Sequence, residues 1–189
     1  MKILVDRLKD SPISLHFDEE RSWRTALEET DPELAAALAA PVAVDVRAHR
    51  MGLDLYLEGR VTGALGLECG RCLARYRAPL SEPFRLVLSP AGSRVPAEPE
   101  AAASLARHGL CLGDELETGW YQGHEIELDG LVRELLALAL PVQPVCREEC
   151  KGLCPVCGAD RNTGACGCGE PRSKTPFAAL EALRTRGES

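Results

Sequence analysis

Much of the chain alternates between hydrophobic and polar residues with the period of two that is typical of β-strands. Two short runs near the start predict one or two half-buried strands, and three longer runs from Val42 predict an antiparallel meander. We place the joints of this meander at Met51 and Gly52 and at Gly59 and Arg60. The apolar positions are Ile3, Val5, Ile13, Leu15, Phe17, Val42, Val44, Val46, Leu53, Leu55, Leu57, Val61, Leu65 and Leu67.

Helical patterns interrupt the alternation. Thr30 to Glu33 reads Thr-Asp-Pro-Glu, the form of a capping box, and predicts a helix that ends at Pro41. Asp129 is a suitable cap for a second helix from Leu131 to Leu140, and a third should follow Thr175. The second helix is predicted to pack on the sheet through one face, formed by Leu131, Leu135 and Leu138, with Val132 and Leu136 beside it.

Residues from about 90 to 119 lack this periodicity and are rich in proline, glycine, alanine and acidic side chains. This composition predicts a mobile acidic insertion or linker, with a short helix at Ala101 to His108. Cys111 lies in the segment without a neighbouring cysteine pair, so we interpret it as an incidental thiol and His108 as a solvated histidine.

Six of the nine cysteines fall between Cys146 and Cys168. Cys154-Pro-Val-Cys157-Gly has the form of a zinc knuckle, because two thiolates two residues apart on a tight turn can share one ion. Cys166 and Cys168 can complete the tetrahedron. We therefore predict a first structural zinc site that consists of Cys154, Cys157, Cys166 and Cys168.

The remaining pairs are Cys146 with Cys150 and, far upstream, Cys69 with Cys72. The upstream pair follows the meander and should lie at the tip of a hairpin. A second zinc ion would be held by Cys69, Cys72, Cys146 and Cys150, which would clasp distant parts of the chain together. The alternative is a two-knuckle ribbon in which Cys69 and Cys72 join Cys154 and Cys157.

An iron-sulfur cluster is a less suitable interpretation of these cysteines. Cys150, Cys154 and Cys157 match the three-cysteine spacing of radical enzymes that use S-adenosylmethionine. Those enzymes place the motif early in a large barrel, however, and here it lies near the end of the chain. Glycine-rich phosphate loops, nucleophile elbows and paired catalytic carboxylates are also missing from the sequence, and we expect no catalytic residues.

The hairpin around Cys69 and Cys72 is basic, although the formal net charge of the chain is -7. Arginine forks could bind RNA phosphates and the tyrosine could stack on a base, so we predict an RNA-binding surface. These side chains could equally form a solvated strand face or balance the thiolates. The residues of this predicted surface are Arg71, Arg75, Tyr76 and Arg77.

Charge and composition bear on nucleic-acid binding, membrane association and location. Two tetrathiolate zinc sites would take the net charge to about -11, which disfavours general nucleic-acid binding, so any RNA contact would have to be local. The first residues do not resemble a signal peptide, and the longest apolar run, Leu135 to Val142, is too short to span a bilayer. Clustered cysteines favour metal ligands in a reducing compartment, so we expect a cytoplasmic protein without a membrane partner.

Three parts of the sequence together resemble the YceD family, described as large-subunit ribosomal RNA accumulation proteins. They are Cys69-Gly-Arg-Cys72-Leu with its preceding strands, Glu125-Ile-Glu-Leu-Asp129 with the leucine-rich helix that ends in Ala139-Leu140-Pro141, and Cys150-Lys-Gly-Leu-Cys154-Pro-Val-Cys157-Gly. The resemblance is to the form of the family with an extended C-terminal cysteine cluster. It implies a role in making or accumulating large-subunit ribosomal RNA, through binding of RNA or of an assembly partner.

The sequence thus predicts an α+β fold, an antiparallel β-meander or partly open barrel with a few packed helices and a C-terminal zinc-ribbon-like module. Residues 1–145 would form the core and residues 146–189 the zinc module with a terminal helix. The expected partner is large-subunit ribosomal RNA or a pre-ribosomal particle. The alternative is an adaptor that recruits a basic ribosomal protein or a processing nuclease.

Overall fold

The computed structural model describes residues 1–92, 96–113, 117–164 and 166–168. In these residues the chain forms strands and helices that we number in chain order. They are β1 Lys2–Leu4, β2 Ile13–Asp18, α1 Arg21–Thr30, α2 Pro32–Ala37, β3 Leu38–Met51, β4 Asp54–Glu68, β5 Arg75–Pro90, α3 Pro99–His108, β6 Leu110–Leu112, β7 Thr118–Tyr121, β8 Glu125–Glu127 and α4 Asp129–Ala139.

Six strands form one open sheet in the order β2-β3-β4-β5-β7-β6, and β1 pairs with β8 in a separate two-stranded sheet. Most neighbours are antiparallel, but β7 lies parallel to β5, from Val87 opposite Thr118 to Pro90 opposite Tyr121. The predicted α+β class is confirmed, and the sheet is not closed into a barrel.

The alternation seen in the sequence sets which face of the sheet is buried. Along β3, Val42, Val44, Val46 and Ala48 are buried, and the residues between them are more exposed. Successive side chains of a strand point to opposite faces, so one face packs into the core and the other meets solvent. The helices cover the buried face with apolar residues that include Trp23, Leu27, Leu34, Val132 and Leu136.

The chain divides into two compact units. The first comprises Met1–Leu67 and Arg75–Val142, and it contains every residue of the main hydrophobic cluster. The second comprises Glu68–Ala74, which is the tip of the β4–β5 hairpin, and the residues from Gln143 onward. Both predicted groups of metal ligands lie in the second unit.

The start of the chain's helical region differs from the prediction. Thr30 is the last residue of α1, a helix that was not predicted, and its hydroxyl donates to the carbonyl of Ala26. The cap of α2 is Asp31, whose carboxylate accepts the N–H of Leu34 at 3.1 Å. The helix ends at Ala37, and Pro41 lies inside β3, because tertiary pairing extends the strand into the alanine-rich run.

The predicted turn at Gly59 and Arg60 is wrong, since β4 runs through both residues. A Cβ at Gly59 would lie 2.3 Å from the carbonyl oxygen of Asp45 and 2.6 Å from the ring of Phe84. Gly59 therefore lies inside a strand, where its lack of a side chain lets Asp45 and Phe84 approach the backbone closely. The turn at Gly52 is present, with a φ of +64°.

The N-cap of helix α4 is Leu128, which makes no side-chain cap, and the predicted cap, Asp129, is the first residue of the helix. Its buried residues are Leu131, Val132 and Leu136, and Leu138 is 71% exposed. At 3.6 residues per turn, the buried stripe of α4 is centred between Val132 and Leu135, and Leu138 falls outside it. The predicted face is therefore rotated about the helix axis relative to the observed one.

The segment expected to be a linker contains secondary structure. Helix α3 covers the predicted short helix, and β6 and β7 pair with each other at the end of the large sheet. Cys111 is buried in β6, where it packs with Ala91 and Leu105. The predicted helix after Thr175 lies outside the described residues.

Candidate metal centres

The tip of the β4–β5 hairpin folds as a knuckle around Cys69. We call Cys69–Ala74 the hairpin knuckle. The N–H of Leu73 donates to the carbonyl of Cys69 at 2.8 Å, and the N–H of Cys69 donates to the carbonyl of Ala74 at 3.0 Å. Leu73 has a φ of +59°, the left-handed conformation that turns the chain back after the second cysteine.

Residues Cys154–Ala159 repeat this backbone arrangement, and we call them the C-terminal knuckle. Here the N–H of Gly158 donates to the carbonyl of Cys154, and the N–H of Cys154 donates to the carbonyl of Ala159, both at 2.8 Å. Gly158 takes the left-handed position with a φ of +74°. The two segments are therefore the same local structure, built once with leucine and once with glycine at the strained position.

Each knuckle contributes two thiols to a group of four. The Sγ atoms within each group all lie within 4.8 Å of one another. We name the groups the hairpin tetrad and the C-terminal tetrad. They consist of Cys69, Cys72, Cys146 and Cys150, and of Cys154, Cys157, Cys166 and Cys168, respectively. These are the two sets that the sequence predicted. The structure does not bring Cys69 and Cys72 together with Cys154 and Cys157, as the two-knuckle ribbon requires.

The spacing of the sulfur atoms suits a tetrahedral metal ion. Cys69 Sγ and Cys150 Sγ are 3.8 Å apart, as are Cys72 Sγ and Cys146 Sγ. A disulfide needs about 2.05 Å. Four sulfurs at about 2.3 Å from a central ion would be separated by about 3.8 Å. The donor set and its geometry thus fit a tetrathiolate site, and each tetrad could hold one metal ion.

Backbone amides lower the pKa of at least one thiol in each tetrad, which favours its ionised form. The N–H of Cys146 and then the amides of the hairpin knuckle lower the pKa of Cys69 to about 6. The N–H groups of Cys157 and Val156 do the same for Cys154, lowering its pKa to about 6. Burial raises the pKa of Cys146 to about 12. A bound cation favours the thiolate form of all four ligands, so it would overcome the difference between the lowered pKa of Cys69 and the raised pKa of Cys146.

Arg71 holds the hairpin tip against the segment that completes its tetrad. Its Nη1 donates to the carbonyls of Glu148 at 3.2 Å and Cys150 at 3.1 Å. The carbonyl of Arg71 accepts the N–H of Leu153 at 2.9 Å. A Cβ at Gly152 would lie 2.8 Å from that carbonyl oxygen, and Gly152 has a φ of +68°, so this contact requires glycine.

Asn162 connects the two tetrads. It lies in the loop between Cys157 and Cys166, yet its side-chain NH₂ group is 3.6 Å from Cys150 Sγ in the hairpin tetrad. Its Oδ1 accepts the N–H of Lys151 at 2.9 Å, which fixes the orientation of the amide. Asn162 could not be identified as a site residue from the sequence, because an asparagine in a turn-rich loop carries no signal beyond its turn propensity.

The family model described as "Large ribosomal RNA subunit accumulation protein YceD" matches residues 57–184. This range contains the hairpin knuckle and both tetrads. The chain belongs to the YceD family.

Curated relatives agree with this membership of the YceD family. A protein of Arabidopsis thaliana named "Large ribosomal RNA subunit accumulation protein YCED homolog 1, chloroplastic" is 25% identical over 95% of this chain and 60% of its own length. A Zea mays protein of the same name is 28% identical over 76% of this chain and 53% of its own. An uncharacterized protein of Mycobacterium tuberculosis is 29% identical over 66% of this chain and 54% of its own.

The chain thus spans a little over half the length of these YceD relatives. No solved structure gave a significant match. Among the described residues, no helix is both long and apolar enough to cross a bilayer.

The predicted RNA-binding residues of this YceD chain do not form one surface. Arg75 and Arg77 are exposed on β5, but Tyr76 lies between them and therefore points to the opposite face, toward the side of Ala78 and Leu80. The guanidinium of Arg71 is engaged by two carbonyl groups. The predicted set lacks Arg60 and Arg85, which the sheet places on the exposed side of β4 and β5.

The leftover thiol is buried, and the leftover histidine is paired with a carboxylate. Cys111 is buried, and burial raises the pKa of its thiol. His108 lies 2.7 Å from a carboxylate oxygen of Glu127 and joins the end of α3 to β8. Both residues therefore contribute to packing and pairing within the first unit.

Proposed function

We propose that this chain supports the processing or accumulation of large-subunit ribosomal RNA as a non-catalytic factor that contacts ribosomal RNA or a pre-ribosomal particle. The observation that carries the proposal is the match to the YceD family across the hairpin and both tetrads. The names of the plant relatives point to the same process.

The proposal includes two structural zinc ions. Four thiolates complete the tetrahedral coordination that zinc adopts in structural sites, and such a site has no position for a substrate. Each ion would be held by one tetrad and would stabilise the fold of the second unit. Metal analysis of the purified chain tests this point, and we expect colourless protein with about two zinc ions per chain. Brown protein that contains iron and sulfide would contradict it.

The proposed location is the cytoplasm, where reducing conditions keep the cysteines available to a metal. Depletion of the protein from its own cells tests the function. We expect large-subunit ribosomal RNA to fall relative to small-subunit RNA, and ultraviolet crosslinking to recover large-subunit RNA with the protein. Unchanged subunit RNA levels after complete depletion would refute the proposed role.

The alternative, a zinc-stabilised adaptor, is favoured by the net charge of -7, which suits a basic protein partner. Affinity purification before and after nuclease treatment separates the two. A ribosomal protein or nuclease that remains bound after the RNA has been digested indicates an adaptor. Loss of all partners on digestion indicates contact through RNA.

A further inference from the structure

Strand β5 presents three arginines on its exposed face. Arg75, Arg77 and Arg85 occupy odd-numbered positions and are exposed, whereas the even-numbered positions Leu80, Phe84 and Leu86 are buried. At about 3.3 Å per residue, the three guanidinium groups extend over about 33 Å of one strand. The face is therefore a line of positive charge and not a single cluster.

These guanidinium groups are uncommitted. Within the described residues, Arg75, Arg77 and Arg85 have no hydrogen-bond or ion-pair partner, whereas Arg71 is held by carbonyl groups. A guanidinium that forms no contact within its own chain can still offer all five donors to a ligand. The charge of the strand is thus available for binding.

The neighbouring strand adds a fourth arginine. Arg60 of β4 donates from Nη1 to the hydroxyl of Ser81 at 2.8 Å, which positions it beside β5. Together with Arg47 and Arg85 it lines a groove of about 650 Å³. Three acidic residues also line this groove. Asp45 contacts His16 at 2.7 Å, Glu58 contacts Arg47 at 3.3 Å, and Glu117 is the third.

The edge of β5 is poorly suited to binding another strand. Strand β7 pairs only with Val87–Pro90, so the earlier part of β5 has β4 as its one strand neighbour in the described sheet. Pro79 and Pro83 lie in this part and have no N–H to donate. Prolines and charged residues are the common protection of an exposed edge, so a partner would meet the side chains of this strand and not its backbone.

We propose that the arginine face, formed by Arg60, Arg75, Arg77 and Arg85, binds the phosphate backbone of RNA. The inference rests on the proposed function and names the surface that performs it. Arginine pairs bidentately with phosphate, and extended positive charge follows a nucleic-acid backbone without reading its sequence. Because the chain as a whole is acidic, RNA would be bound on this face and repelled elsewhere.

Binding of fluorescent oligouridine and of a short RNA duplex to the zinc-loaded full chain tests the proposal. The substitution Arg75→Ala/Arg77→Ala/Arg85→Ala should weaken binding about tenfold or more. It should also reduce the magnitude of the slope of log K against log salt by about 2, because each of the three lost phosphate contacts contributes about 0.7 to that slope. Lysine at the same positions should preserve the salt slope, because the charge remains. The comparison of the two RNAs shows which form is preferred.

The matched control removes three exposed arginines from the helices, as Arg21→Ala/Arg107→Ala/Arg133→Ala. We expect this variant to bind within about twofold of the wild type, because the lost charges are not at the site. Equal weakening by both variants, or poly-glutamate bound as tightly as RNA, would overturn the proposed surface. So would wild-type affinity in the β5 variant. Each of these results leaves the proposed function standing if depletion still lowers large-subunit RNA.

Discussion

Leu73 and Gly158 occupy equivalent positions in the two knuckles, but only leucine has a Cβ that opposes the left-handed backbone. Leu73 is 58% exposed, so it loses little burial when it is replaced. We expect Leu73→Gly to stabilise the zinc-loaded protein by about 1 kcal/mol, and Gly158→Ala to destabilise it by about as much. Chemical denaturation measures both, and a less stable Leu73→Gly variant would show that the side chain has another role.

Asn162 should tune a metal site to which it contributes no ligand. The substitution Asn162→Leu removes the N–H group near Cys150 Sγ and the acceptor of the Lys151 amide. We expect zinc affinity to fall about tenfold, which is the lower end of the effect of removing a hydrogen bond to a metal ligand. Competition with a chromophoric chelator measures it.

Thr163→Val is the control for Asn162, because within the described residues the hydroxyl of Thr163 donates to the carbonyl of Asp160 and contacts neither tetrad. Its zinc affinity should match that of the wild type. If Asn162→Leu also binds zinc as the wild type does, the contact to Cys150 has no energetic effect.

At the scale of elements, α3 is joined to β8 through His108 and Glu127. The hydrogen bond from His108 lowers the pKa of Glu127 below its ordinary value of 4.5. A carboxylate whose pKa falls on folding contributes stability above about pH 4.5, and this contribution is lost as the pH falls through the folded pKa. We expect Glu127→Gln to be less stable than the wild type near neutral pH.

The difference between wild type and Glu127→Gln should shrink when urea denaturation is repeated below the folded pKa of Glu127. Glu134→Gln, which changes an exposed residue of α4, should show no such pH dependence. A difference for Glu127→Gln that is constant with pH would mean that the effect is not electrostatic.

Across the whole molecule, the two units differ in the kind of residue that they bury. The main hydrophobic cluster lies entirely in the first unit. In the described part of the second unit the buried residues are Cys69, Cys72, Cys150, Gly152 and Cys154. The proposed zinc ions would therefore supply much of the stability of the second unit, whereas the first has an apolar core.

Removal of the metal by a chelator should therefore unfold the second unit alone. Limited trypsin digestion should then cut after Arg147, Lys151 and Arg161, while Arg50 and Arg60 in the sheet stay protected. Zinc added back should restore resistance. Cleavage that is equally fast with and without the chelator would show that the second unit does not need metal.

Local patterns were sufficient for much of this fold. Strand alternation predicted β2, β3 and the residues of β4, although it divided β4 at Gly59, and the Cys-x-x-Cys spacing predicted both knuckles. Both patterns depend on residues close in sequence. The pairing of the tetrads could be inferred only by elimination among the cysteine pairs. Helix α1 and strand β6 were missed, since short elements take their stability from tertiary packing.

The sequence by itself determined which residue types could bind metal or RNA and the period on which they lie. Only the tertiary structure decided which of them are free to act. The guanidinium of Arg71 donates to the carbonyls of Glu148 and Cys150. Tyr76 faces away from Arg75 and Arg77, whereas Arg60 lies beside β5 although it belongs to another strand. These relations depend on strand pairing and loop closure between residues far apart in the chain, which local periodicity does not specify.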